Sequence, residues 1–205
     1  MRLYSMPGAC SLAANIALRE AAIPFELVKV SHHTHKTADG VDFSRINSKG
    51  YVPALALDSG ELLTENAALL QYIADLSPAA RLAPPAGTLE RYRLSEWLAY
   101  INSEVHKSFS PMFAPNASDD MKQYARANLT KRLGWLAQQL GSQPYLLGEQ
   151  FTVADAYLFV TLSWSALVGF DLSPWLNLQA FQERVAARPS VIEAMTAEGL
   201  LRKKS

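Results

Sequence analysis

The stretch Leu82-Ala83-Pro84-Pro85-Ala86-Gly87 separates two parts of the chain that follow different periodicities. Proline fixes φ and removes a backbone donor, so neither a helix nor a sheet runs through such a segment. Before it, short apolar alternations interleave with helical periods. After it, no strand pattern occurs. A single continuous sheet is excluded, and an α/β layer joined to a helical bundle is the architecture that fits. The expected domains are residues 1–78, a linker over 79–87, and an all-helical domain over 88–205.

In the first part, Arg2-Leu3-Tyr4-Ser5 reads as a strand, and Leu12, Ile16 and Ala17 mark one face of a helix. Phe25 to Val30 is a second strand, and the polar run Ser31 to Gly40 a loop. Val41 to Ile46 predicts a short helix. Leu55-Ala56-Leu57 and Leu62-Leu63-Thr64 flank Asp58-Ser59-Gly60, a hairpin signal. Glu65 to Leu76 is helical. The predicted order is βαβαββα.

In the second part, Thr88 to Phe109 predicts a long helix, with Pro111 and Pro115 breaking it. Further helices are expected over Asp119 to Leu140 and over Thr152 to Val168, which is apolar nearly all round. Ser173-Pro174 reads as an N-cap opening a helix to Arg188, and Pro189 opens the last one, ended by Gly199. Thr152-Val153-Ala154-Asp155 has the spacing of a capping box. That assigns Thr152 and Asp155 a structural role.

Composition narrows the function. With 205 residues, 49% of them hydrophobic, the chain can bury a large core. The formal net charge of +0 gives no basic footprint for nucleic acid or an anionic membrane surface. A lone cysteine forms no intrachain disulfide and fits a reducing compartment, hence an expected cytoplasmic location. No apolar run reaches the roughly 20 residues of a membrane span, and no signal peptide is visible.

That cysteine lies in Met6-Pro7-Gly8-Ala9-Cys10-Ser11, where a strand turns into a helix. Unpaired N–H groups and the positive end of the helix dipole favour a thiolate there, its own or a ligand's. The alternative is a buried cysteine packed as a small hydrophobe. His32, His33 and His35 crowd one loop without the spacing of a metal site, and no metal is expected.

Several motifs in register resemble the bacterial cytosolic glutathione transferases of the beta class. They are Pro7-Gly8-Ala9-Cys10-Ser11-Leu12, Gly50-Tyr51-Val52-Pro53, Leu63-Thr64-Glu65, Ser103 to Pro111, Phe151 to Phe159 and Glu198-Gly199-Leu200. The resemblance implies a thioredoxin-like domain, an all-helical domain and a homodimer, with glutathione as co-substrate and no cofactor. It implies a cis Pro53 beside Val52, whose backbone pairs with the glutathione cysteinyl group as an added strand would. Tyr51 would lie at the same site. Glu65 would take the γ-glutamyl ammonium and Asn66, where relatives carry Ser or Gly, the neighbouring carboxylate. The family lysine for the glycyl carboxylate aligns with His35, and Lys36 follows, so either serves. Relatives also carry Tyr at Ser5 and His at Asn15. The resemblance puts His106 near the sulfur, and Ser103 and Glu104 near glutathione held by a partner chain.

The implied reaction is attack of the glutathione thiolate on a small hydrophobic electrophile, as in detoxification. Ionising a thiol of pKa near 8.5 at pH 7 needs about 3 kcal/mol, within reach of one or two hydrogen-bond donors. The candidates are the amides of Cys10 and Ser11, the Ser11 hydroxyl and His106. Met6, Phe109, Met112, Phe113, Tyr157 and Trp164 are expected to line the electrophile pocket. Two rival readings remain at this point. Cys10 could form a mixed disulfide with glutathione, a thiol-transferase reaction resolved by a second glutathione. Or the chain is a non-catalytic ligand-binding or regulatory protein on the same fold.

Overall fold

The computed structural model describes residues 1–201. The chain divides into two compact units: Met1–Ala83 together with the chain from Ala187 on, and Pro84–Ala186.

In the first unit, β1 (Arg2–Ser5), β2 (Glu26–Lys29), β3 (Ala54–Ala56) and β4 (Leu62–Thr64) form one sheet in the order β2-β1-β3-β4. β1 and β2 are parallel, which requires a crossover. Helix α1 (Leu12–Glu20) supplies it. β3 pairs antiparallel with both β1 and β4. The β3–β4 pair is the hairpin predicted around Asp58-Ser59-Gly60, with Leu57 N–H donating to Glu61 O at 2.8 Å. Val41 to Ile46 holds one turn of 3₁₀ helix, Phe43–Arg45, opened by the Asp42 carboxylate on Ser44 N. Its Phe43 packs with Tyr4, Met6, Val30, Val52 and Ala54 in one buried cluster. Helix α2 (Asn66–Leu76) follows β4 and packs against α1.

The last helix, α8 (Pro189–Glu198), packs on α1 and belongs to this unit. The expectation of one helical domain over 88–205 is corrected here. Burial does not respect chain order: Glu20 of α1 accepts from Arg188 and Ser190, and Glu198 reaches the loop before α1.

The second unit is helical: α3 (Leu89–Tyr100), α4 (Lys107–Phe113), α5 (Asp119–Leu140), α6 (Val153–Leu167) and α7 (Leu176–Ala186). The long helix predicted over 88–109 is interrupted by a π-helical segment, Ile101–His106. Pro111 does not end the helix, which runs to Phe113. Pro115 does, because it forces Ala114 out of the helical region (ψ 119°). Ser173-Pro174 is not a cap either. The Ser173 amide and hydroxyl both donate to Asp171 in a local turn, and α7 starts at Leu176. The Thr152–Asp155 capping box forms. Asp155 accepts from Thr152 N at 2.8 Å, Thr152 Oγ1 at 2.9 Å and Leu146 N at 2.8 Å. Full burial still raises its carboxyl to about 6. No helix among the described residues is long and apolar enough to cross a membrane.

Candidate functional site

Two groups of side chains carry chemistry, one in each unit. In the first unit the site begins at the turn between β1 and α1. Gly8 has φ +75°, a conformation glycine adopts without strain, and its amide donates to Glu198 Oε2 at 2.9 Å. Glu198 Oε1 accepts from Ser5 Oγ at 2.8 Å and Asn15 Nδ2 at 3.1 Å. Burial raises this carboxyl against those donors. Ser5 and Asn15, two of the positions where the resemblance implies other residues, thus meet at one buried carboxylate. Ser11 is also turned inward. It is fully buried, its Oγ 2.8 Å from Ser5 Oγ and accepting from Met6 N at 3.2 Å. The sequence reading of a Ser11 hydroxyl offered to a thiolate is therefore corrected: the inward network uses it. Met6 is corrected likewise, since its side chain packs in the cluster around Phe43 rather than lining a pocket.

Cys10, half-buried, directs Sγ to the Val52 carbonyl at 3.3 Å. The Val52–Pro53 peptide is cis. Asn66, at the first turn of α2, donates Nδ2 to the Cys10 carbonyl at 2.9 Å, and its Oδ1 is buried without a hydrogen-bond partner. Glu65 precedes it with φ +68°. Its Oε1 accepts from Lys49 Nζ at 2.5 Å and Tyr51 Oη at 2.7 Å, and Lys49 also donates to Thr64 Oγ1. Accepting side chains raise the Lys49 ammonium and the Tyr51 phenol, the Glu65 hydrogen bond being the largest cause in each. Lys49 carried no signal in the sequence, because an exposed lysine fifteen and sixteen residues from Thr64 and Glu65 leaves no local pattern.

The loop after β2 differs between its two candidates. His35 is exposed with φ +52°, and its amide and carbonyl are used by Ser31 and Phe43. Lys36 lines a cleft of about 350 Å³ together with Pro7, Lys29, His32 and His33. His32 Nε2 lies 2.8 Å from the Pro7 carbonyl.

In the second unit, His106 closes the π segment. Its Nδ1 is 2.7 Å from Tyr157 Oη, which donates to Asn102 Oδ1 at 3.0 Å. Tyr157 is fully buried. Trp164, about two turns further along the same face of α6, meets His106, Phe109 and Phe113 edge-on, with centroids 4.8, 5.7 and 5.8 Å apart. Burial, with a smaller contribution from Lys107, lowers the His106 pKa to about 4, so the imidazole is neutral at pH 7. Of the expected pocket residues, Phe109, Phe113, Tyr157 and Trp164 fall in or beside this cluster; Met112 is half-buried on the same short helix. Ser103 is exposed and donates to Glu104 Oε1 at 3.2 Å, and Glu104 pairs with Arg132 at 2.7 Å. Asn102 was missed by sequence reading. A π segment is a hint of function in a structure, but it has no sequence period.

Comparison with known proteins gives a consistent result. The glutathione S-transferase N-terminal domain matches residues 1–75, and the C-terminal domain matches residues 100–189. The glutathione S-transferase GstA of Escherichia coli O157:H7 is 44% identical, over 98% of this chain and 100% of its own length. Among solved structures, the ternary complex of BphK, a bacterial GST, has a TM-score of 0.95 at 56% identity, covering 97% of this chain and 100% of that one. A sphingomonad glutathione S-transferase complexed with glutathione has a TM-score of 0.94 at 49% identity, covering 98% and 100%.

Proposed function

The chain belongs to the glutathione S-transferase family, and on that premise we propose that it joins glutathione to small hydrophobic electrophiles and also reduces glutathione mixed disulfides through Cys10. The observation that carries the reading is Cys10 Sγ held 3.3 Å from the carbonyl of Val52, next to the cis Pro53. An extended tripeptide pairing with the Val52 main chain would bring its own cysteinyl sulfur to that thiol.

The remaining contacts follow by charge. Glu65, already oriented by Lys49 and Tyr51, receives the γ-glutamyl ammonium. Asn66 gives one Nδ2 hydrogen to the Cys10 carbonyl and takes the neighbouring carboxylate with the other. Lys36 rather than His35 meets the glycyl carboxylate, since Lys36 lines the cleft beside Pro7. The aromatic group around Trp164 receives the electrophile, and His106 acts on the thiol. Ser103 and Glu104 serve glutathione bound by the second chain of a homodimer. Glu104 then acts as part of its ion pair with Arg132.

In conjugation, the glutathione thiol loses its proton, its sulfur attacks the electrophilic carbon, and the leaving group departs with the bonding pair. In disulfide reduction, the Cys10 thiolate attacks the glutathionyl sulfur of a mixed disulfide and the other thiol leaves. A second glutathione then attacks the Cys10–glutathione disulfide and releases oxidised glutathione. Cys10→Ala separates the two. Disulfide reduction disappears because the reacting atom is gone. Conjugation falls only about tenfold, or 1.4 kcal/mol, because the amides at the start of α1 and His106 remain. Rates on an aryl halide and on a glutathione mixed disulfide measure both. Disulfide reduction that survives without Cys10 overturns the redox half; conjugation abolished with it overturns the other.

A further inference from the structure

Sequence alone makes His106 a donor to a thiolate. The hydrogen bonds around it lead to the opposite assignment. Tyr157 is sealed in the helical unit, and its hydroxyl meets His106 Nδ1 at 2.7 Å and Asn102 Oδ1 at 3.0 Å. A phenol has one proton. An amide oxygen only accepts, so that proton belongs to the Tyr157–Asn102 bond. Nδ1 then has to be the donor in its own bond to Tyr157. A neutral imidazole carries one N–H. With that hydrogen on Nδ1, the other ring nitrogen is left with a lone pair and no hydrogen. Among the described residues, no hydrogen bond engages it.

We propose that Asn102 and Tyr157 are positioning residues that lock His106 in the Nδ1–H form, so that Nε2 is the acceptor of the glutathione thiol proton. This rests on the reading of His106 as acting on that thiol. The π segment makes the lock possible, since Asn102 and His106 lie at its two ends and both reach the one hydroxyl of α6. Trp164 against the ring at 4.8 Å limits its rotation.

The proton balance is simple. The S–H bond breaks, its proton goes to Nε2, and the electron pair stays on sulfur. The imidazolium keeps Nδ1–H on Tyr157, so nothing in the relay has to turn. Burial disfavours that cation, so it persists only while the thiolate beside it balances the charge. Once the carbon–sulfur bond forms, the proton leaves with the departing group or to water. The polarity of the relay thus suits a transient base and is wrong for a permanent donor.

The relay can be reversed without touching His106 or Tyr157. Asn102→Leu removes the acceptor, the Tyr157 proton turns to Nδ1, and the imidazole proton moves to Nε2. Asn102→Asp keeps an acceptor and keeps the wild-type form. Nitrogen-15 imidazole spectra of the full-length protein at pH 7 read the tautomer directly. The expected result is Nδ1–H in the wild type and Asn102→Asp, and Nε2–H in Asn102→Leu. With an aryl halide, Asn102→Leu should lower kcat about tenfold, leaving the KM for glutathione within about twofold, and Asn102→Asp should restore most of the loss. A wild-type spectrum with the proton on Nε2 overturns the lock, and needs no variant to fold. A tautomer that switches as expected while kcat stays unchanged overturns the assignment of Nε2 as proton acceptor, and with it the role of His106, while the lock itself stands.

Discussion

The two groups of functional side chains use charge in opposite ways. In the first unit, Lys49, Tyr51 and Glu65 form an ion cluster about half open to water. Water screens such pairs, so Lys49 and Glu65 hold each other only weakly. In the second unit, His106 sits among Tyr157, Trp164 and Phe109, and burial removes its charge. The first arrangement suits recognition of a zwitterionic peptide. The second suits a neutral imidazole and an apolar reactant. Under the proposed function, binding by charge and chemistry among apolar groups fall to different side chains, and the contrast can be tested at each of them.

The largest expected effect comes from a buried charge. Asp155→Ala leaves Leu146 N, Thr152 N and Thr152 Oγ1 without their acceptor, and should cost about 2–4 kcal/mol of stability in urea unfolding. A loss below about 0.5 kcal/mol would mean that water reaches this helix end.

Glu65→Ala should weaken glutathione binding by roughly tenfold to a hundredfold, the worth of a charge-assisted hydrogen bond of about 1.5–3 kcal/mol. Calorimetry measures it directly. An unchanged Kd would remove Glu65 from the binding site.

The pH dependence distinguishes the buried groups by sign. His106 has a folded pKa near 4 against 6.5, so its share of stability is present above 6.5 and is lost as pH falls toward 4. Asp155 has its pKa raised to about 6, so its share is present below 3.8 and is lost as pH rises through 6. In that window the two oppose each other. His106→Phe removes one of them. Between pH 7 and pH 5 the variant should gain about 2 kcal/mol relative to the wild type. Parallel stability curves for the two proteins would show that His106 titrates normally.

The smallest effect is expected at the exposed pair. Lys49→Met should change the glutathione Kd by less than about threefold, and 0.5 M salt should erase the difference. A tenfold change that survives salt would mean that the open cluster behaves like a buried one.

How far the sequence reached can be followed residue by residue. The strand–turn–helix around Cys10, the hairpin at Asp58-Ser59-Gly60 and the capping box at Thr152–Asp155 were all legible. Resemblance added the cis Pro53. Ser11 and Met6 were read in the right place but with the wrong direction. Which way a side chain points at a strand end is set by what it packs on: Ser5 and the Met6 main chain draw Ser11 inward, and Phe43 draws Met6.

What the sequence determined by itself is what neighbouring residues settle between them: periodicity, turns, caps, and the place where strand gives way to bundle. These interactions span a few residues, so a local pattern records them. Only the tertiary structure decided that α8 joins the first unit, where Glu198 meets Ser5 across 193 positions, and that Tyr157 reaches His106 across 51. Only it decided which carboxylates face water and which do not. Hydrogen-bond direction and pKa depend on burial and on partners distant in the chain. In this protein those two properties distinguish a histidine that donates a proton from one that accepts it.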